Sequence, residues 1–190
     1  MIMNKDAIIE LQILNNAEGN LAQFLEDIGF ERCNDLNWQD PSDTSYLNDS
    51  DRQDMDIMAN VFAMSETNRL IYWIGKDVGG FIGLWVGPSN IQLANAPVVE
   101  LDLEGQYRII ATRIADYLIS RSYSEDFDKD RELLVQYGFT VADSLDELEQ
   151  AVDEFKEKFY FDPSMSPQLY RHRIYNDQRW KHGLTAVPFD

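Results

Sequence analysis

Two adjacent glycines constrain the middle of this chain more than any other feature. Gly79 and Gly80 separate Ile71 to Trp73 from Phe81 to Val86. Both runs have the aromatic and β-branched content of sheet, while Lys76-Asp77-Val78-Gly79-Gly80 has the glycine and polar content of a connection. The spacing predicts a β-hairpin with a slightly long loop. After Pro97, residues Val98 to Glu104 alternate with period two. That places Val99, Leu101 and Leu103 on one face of a strand and Glu100, Asp102 and Glu104 on the other. One face reads as core and the other as anionic. Gly105 then separates this strand from a helix with a stripe of Ile110, Ile114, Tyr117 and Leu118, while Arg108, Arg113 and Arg121 face elsewhere.

Helical spacing recurs on both sides of this segment. Ile8, Ile9, Ile13 and Leu14 predict a first helix, and Leu21, Phe24, Leu25 and Ile28 a second that ends near Gly29. Residues 35–56 are polar and acid-rich, with Asn37-Trp38-Gln39-Asp40-Pro41 as a turn, and read as a surface excursion. Ser50-Asp51 caps a helix expected to run to about Met64. Ser144-Leu-Asp-Glu147 is a capping box, followed by Leu145, Leu148, Val152, Phe155 and Phe159 at helical spacing. Pro163 and Pro167 break the chain beyond this helix. With 190 residues, the chain is expected to form one domain, 1–190, ending in a basic-aromatic extension over about 160–190.

Charge narrows the range of partners. Sixteen basic residues against 34 acids give −18, a field that repels nucleic-acid phosphates and anionic lipid and attracts basic proteins. Residues 160–190 hold four bases (Arg171, Arg173, Arg179, Lys181) against three acids, so they carry +1 and residues 1–159 carry −19. Such a tail is expected to fold back on the acidic body or to join a homodimer contact. Neither nucleic acid nor membrane is an expected partner. MIMNKDAIIELQ has acids where a secretion signal needs an apolar core, and Cys33 has no second cysteine to pair with, so the expected compartment is the cytoplasm.

The reactive motifs are sparse. Asp126, Asp128 and Asp130 have the spacing of a calcium loop, but Arg131 stands where glycine is required and Tyr137 where a carboxylate is. They read instead as acids at a helix N-terminus. His172 and His182 are ten apart and read as ordinary surface or packed histidines. Gly79-Gly80 lacks a phosphate-binding pattern. Tyr170-Arg171-His172-Arg173-Ile174-Tyr175 interleaves bases with aromatics, as base-stacking segments do, but the charge of the rest opposes that use. No nucleophile with a placed base and no closed set of metal ligands is apparent, so no enzyme activity and no cofactor or metal is expected. Glu100, Asp102 and Glu104 could be a solvated face, a docking face or, with a divalent metal, a catalytic one. Trp73 and Trp85 fit either core or a partner anchor.

The order IYWIGKDVGGFIGLW, APVVELDLEG and a helix ending ADYLI resembles the SUKH superfamily, also called the SMI1/KNR4-like family, across residues 69–118. The resemblance implies an α+β fold, SMI1/KNR4-like, with a small, mainly antiparallel sheet over about 69–104 covered by helices on one face. It implies a non-enzymatic bacterial immunity protein that binds and occludes a basic toxin, such as a nuclease, with Asp77, Trp85, Glu100, Asp102 and Glu104 at the docking surface. A regulatory interaction module unrelated to toxins is the alternative that it also allows.

Overall fold

The computed structural model describes residues 6–35, 38–123, 125–159 and 162–189. Among them the chain is α+β, with eight α-helices and one five-stranded antiparallel sheet. The hairpin forms as the glycines predict: β2 (Ile71–Lys76) and β3 (Gly80–Trp85) pair with Tyr72 opposite Leu84. Asp77 closes the turn, its Oδ1 accepting from the Gly79 amide at 2.7 Å and the Gly80 amide at 3.2 Å. Gly80 has φ 151°, and a Cβ there would collide with the Leu101 carbonyl across the sheet.

The structure corrects the remainder of the sheet. A short edge, β1 (Glu31–Arg32), pairs with β2, and β4 (Val98–Asp102) pairs with both β3 and β5 (Tyr107–Ala111). The expected strand to Glu104 stops at Asp102, whose Oδ1 accepts from the amides of Glu104 and Gln106, both at 2.9 Å, and turns the chain. Leu103 therefore sits on the turn, 83% exposed, rather than in the core. Residues 107–111, expected within a helix, form β5 instead because Tyr107, Ile109 and Ala111 are buried alternately on a pleat. The helix is the shorter α5 (Ile114–Ser120).

Helices cover both faces of the sheet, not one. On one face Ile74, Ile82, Leu84 and Val98 pack with Leu11 and Leu14 of α1 (Asp6–Asn15), with Leu21, Phe24 and Leu25 of α2 (Gly19–Asp27), and with α5. The same layer takes Leu134 of α6 (Phe127–Gln136) and Leu148 of α7 (Leu145–Phe159). On the other face Ile71, Trp85, Val99, Leu101, Tyr107 and Ile109 form a second core.

The helix expected from Ser50 to Met64 is two helices, α3 (Asp49–Gln53) and α4 (Met55–Asn68). Asp54 breaks it by taking extended backbone and capping α4, its Oδ1 accepting from Asp56 at 2.8 Å and Ile57 at 3.1 Å. Asn48, not Ser50, caps α3. The expected turn at 37–41 begins at Asn37, which lies outside the described residues. The tail forms α8 (Pro167–Lys181), which folds back on α4: Arg179 pairs with Asp56, and Tyr175 donates to the same carboxylate at 2.7 Å.

Trp85 belongs to the second core, fully buried, with Nε1 donating to the Ser164 carbonyl at 2.9 Å and its ring 5.9 Å from that of Tyr170. Its expected place at a docking surface is thereby corrected: the pleat turns it inward, where the tail covers it. Trp85→Ala is expected to cost about 3–5 kcal/mol in urea unfolding and to expose α8 to protease. A surface anchor would cost under about 0.5 kcal/mol.

Candidate functional site

The acids singled out in the sequence separate into two environments. Asp77 is at the hairpin turn with its side chain 1% exposed, held by Arg121 from the C-terminal end of α5. Arg121 Nε donates to Asp77 Oδ2 at 2.8 Å, the Tyr117 hydroxyl donates to the same oxygen at 2.8 Å, and the Arg121 guanidinium lies 5.9 Å from the Tyr117 ring. This carboxylate is consumed inside the fold, which corrects its expected role at a docking surface.

Glu100 points to the same face of β4 and is half-buried beside this pair. Burial and then the charge of Asp77 raise its carboxyl above the usual range, while Arg121 and Arg108 oppose the rise. Asp102 has a side chain only 12% exposed and pairs with Arg108 across the β4–β5 ladder at 2.9 Å. Glu104 alone of the strand acids stands free on the surface, at the turn. The anionic face expected of this strand is thus divided: Asp77 pairs with Arg121 inside the fold, Asp102 pairs with the exposed Arg108, Glu100 lies half-buried beside them, and Glu104 stands outside.

A groove beside that turn gathers acids that the strand pattern does not show. It has a volume of 830 Å³ between the 39–46 loop, α4 and the 101–105 turn. Asp40, Asp43, Asp102 and Glu104 line it, together with Tyr46, Met64, Phe81 and Leu103, and among the described residues no lysine or arginine does. Phe81 forms its floor within an aromatic group, 5.7 Å from the Trp38 ring and 6.1 Å from Trp73. The Asp43 carboxyl is held below its usual range by hydrogen bonds from the Ser45 amide and hydroxyl, each 2.8 Å, and so stays charged. Asn68 fixes the loop from α4, donating to the Pro41 carbonyl at 3.2 Å and to Ser42 Oγ at 3.0 Å.

Tyr46 is 72% exposed on the divide between this groove and a second one of 490 Å³, where Met58 and Phe62 of α4 supply apolar wall. Asp40, Asp43 and Tyr46 escaped the sequence reading as site residues. Their signal was the acid-rich excursion 35–56, which carries no periodicity to assign a face.

Among the described residues no group of three or more His, Cys, Asp or Glu side chains is arranged to hold a metal ion. No described helix is long and apolar enough to cross a membrane. Burial pushes the Cys33 thiol up, away from the thiolate a nucleophile needs. No protein-family model matches the chain, and no curated protein or solved structure matches it either.

The network predicts opposite results for its two acids. Asp77→Asn leaves the partly buried Arg121 without its carboxylate and is expected to cost about 2–3 kcal/mol, less than a fully buried pair because Arg121 is 33% exposed. The raised Glu100 carboxyl stabilises the fold only below the usual carboxylate range, and that contribution is lost as pH rises. Glu100→Gln is therefore expected to be neutral or stabilising at pH 7 and to lose that advantage near pH 4, as read by thermal unfolding at both pH values.

Proposed function

We propose that this protein is a non-enzymatic binding protein that receives a basic protein partner on the acidic groove between the 39–46 loop and the 101–105 turn. The observation that carries this reading is the groove itself, with the exposed carboxylates of Asp40, Asp43 and Glu104, the Arg108-paired Asp102 beneath them, no lining cation among the described residues, and Tyr46 and Leu103 exposed at its edge. A net charge of −18 would speed encounter with a cationic surface, and the apolar edge would hold the complex once formed. The resemblance to the SUKH superfamily makes the partner a toxin and the protein its immunity factor, acting in the cytoplasm by occlusion. A nuclease toxin fits this charge, because enzymes that bind an anionic substrate carry basic surfaces. The docking set is then Asp40, Asp43, Tyr46 and Glu104, with Asp102 contributing its charge from beneath. A regulatory module would use the same groove for a different basic partner.

The raised Glu100 carboxyl favours one further reading, a carboxylate-dependent metal enzyme built on the strand acids Glu100, Asp102 and Glu104. Arg121 weighs against it, since its guanidinium, bonded to Asp77, already supplies positive charge beside Glu100. That reading requires thermal stabilisation by added Mg²⁺ or Mn²⁺.

The direct test is co-expression with the protein encoded beside it. Growth arrest by that neighbour, relief by this chain, and a complex that loosens as salt rises are expected. Asp40→Asn/Asp43→Asn/Glu104→Gln should then slow association about tenfold at low salt and flatten its salt dependence, with the fold retained. A neighbour that is neither toxic nor bound, or a complex indifferent to the triple change, would remove this reading.

A further inference from the structure

Two buried carboxylates and one arginine lie where α1 meets α5. Glu10 is 2% exposed and Asp116 3%. Arg113, just before α5, donates to both oxygens of Asp116, at 2.7 and 3.1 Å. Glu10 has no such partner. Its Oε1 accepts from the Thr140 amide at 3.0 Å, and its Oε2 is buried without a hydrogen bond among the described residues. The Ala115 amide is directed at the carboxyl and favours its anion, as does Arg113 through space.

A lone carboxylate in such a place is expensive, and one guanidinium already engaged by Asp116 cannot compensate two negative charges. We propose that Glu10 is a proton-held latch: as a neutral carboxylic acid it lets α1 dock on α5 and on the 139–142 segment, and loss of its proton to solvent releases α1.

The wiring explains what the latch would move. Thr140 binds Glu10, Ala142 donates to Asp116 Oδ1 at 3.3 Å, and Arg131 of α6 donates to the Ala142 carbonyl at 2.9 Å, so the two acids hold the middle of the link between α6 and α7. The charged groups facing the pair are Arg113 and Asp116 from the α5 side and Glu147 from α7, which acts on Asp116. Arg131 is turned to Asp143. The turn Leu93–Asn95, which also packs on α1, carries no ionisable side chain. Burial raises the Glu10 carboxyl above its usual range, with a smaller push from the charge of Asp116, against the opposing pull of the Thr140 and Ala115 amides and of Arg113. The folded protein thus binds this proton more tightly than the unfolded chain. The contribution is fully present below the usual carboxylate range and is lost as pH rises above it.

Thermal unfolding of the full chain and of Glu10→Gln from pH 4.5 to pH 8 tests the latch. The amide imitates the neutral acid, so the variant is expected to melt about 3 °C higher at pH 8, with the difference closing toward pH 4.5. Hydrogen exchange supplies the second readout: amides of Leu11 to Asn15, corrected for intrinsic base catalysis, should open faster in the unmodified chain than in the variant at pH 8 and equally at pH 5. A variant that melts lower at every pH, or fails to fold, would show that the fold needs the anion and would overturn the latch. Equal exchange at pH 8 would overturn the release of α1.

Discussion

The central strand of the sheet has no face it can show to water. Gly80-Phe-Ile-Gly-Leu-Trp85 presents Ile82 and Leu84 to one side and Phe81 and Trp85 to the other, so both sides must be covered. Covering one side requires α1, α2, α5 and α6. Covering the other requires α4 and the C-terminal α8, which the chain can supply only by returning its tail across the sheet. That return closes over Trp85 through Ser164 and Tyr170 and brings the basic tail onto the acidic body at Arg179 and Asp56.

This burial also decides the fate of the polar groups. Where a charged residue falls on a covered face it must find a partner or lose its charge. Asp77 finds Arg121 and Tyr117, Asp102 finds Arg108, and Asp116 finds Arg113. Glu100 and Glu10 are the remainders, half-buried or buried beside arginines already engaged; burial raises both carboxyls, and raises that of Asp116 too in spite of Arg113. Exposed acids are spread widely, along α7 for instance at Glu149, Asp153 and Glu154, but Asp40, Asp43 and Glu104 meet where the 39–46 loop and the 101–105 turn leave a groove, and there negative charge lies beside apolar surface.

Several parts were legible in the residues because local chemistry decides them. Gly79-Gly80 and Asp77 specify a turn through backbone freedom and two hydrogen bonds within three residues. Ser144 and Glu147 cap α7 as their spacing requires, with Ser144 Oγ accepting from the Glu147 amide at 3.2 Å and Glu147 from the Asp143 amide at 2.8 Å. Residues 107–111 were not legible. Ile110 and Ile114 fit a helical stripe as readily as Tyr107 and Ile109 fit a strand, and only pairing with β4 separates the two. Leu103 continued the alternation of its strand, but hydrogen bonds from two amides to Asp102 ended the strand before it. The groove stayed hidden because Asp40 and Asp43 are about sixty residues from Asp102 and Glu104 in the sequence.

The sequence by itself therefore determined the hairpin, the amphipathic α7, the α+β class and the strong negative charge, since each depends on neighbours within a few residues or on composition. Tertiary structure alone decided which acids are partners inside the fold and which face solvent. Trp85, Asp77 and Glu104 look alike as candidates for a docking surface, yet one is core, one is a buried ion pair and one is free. The packing of Ser164, Arg121 and the β4–β5 turn around them makes that difference, and those contacts are long-range or set by the pleat, which no local pattern encodes.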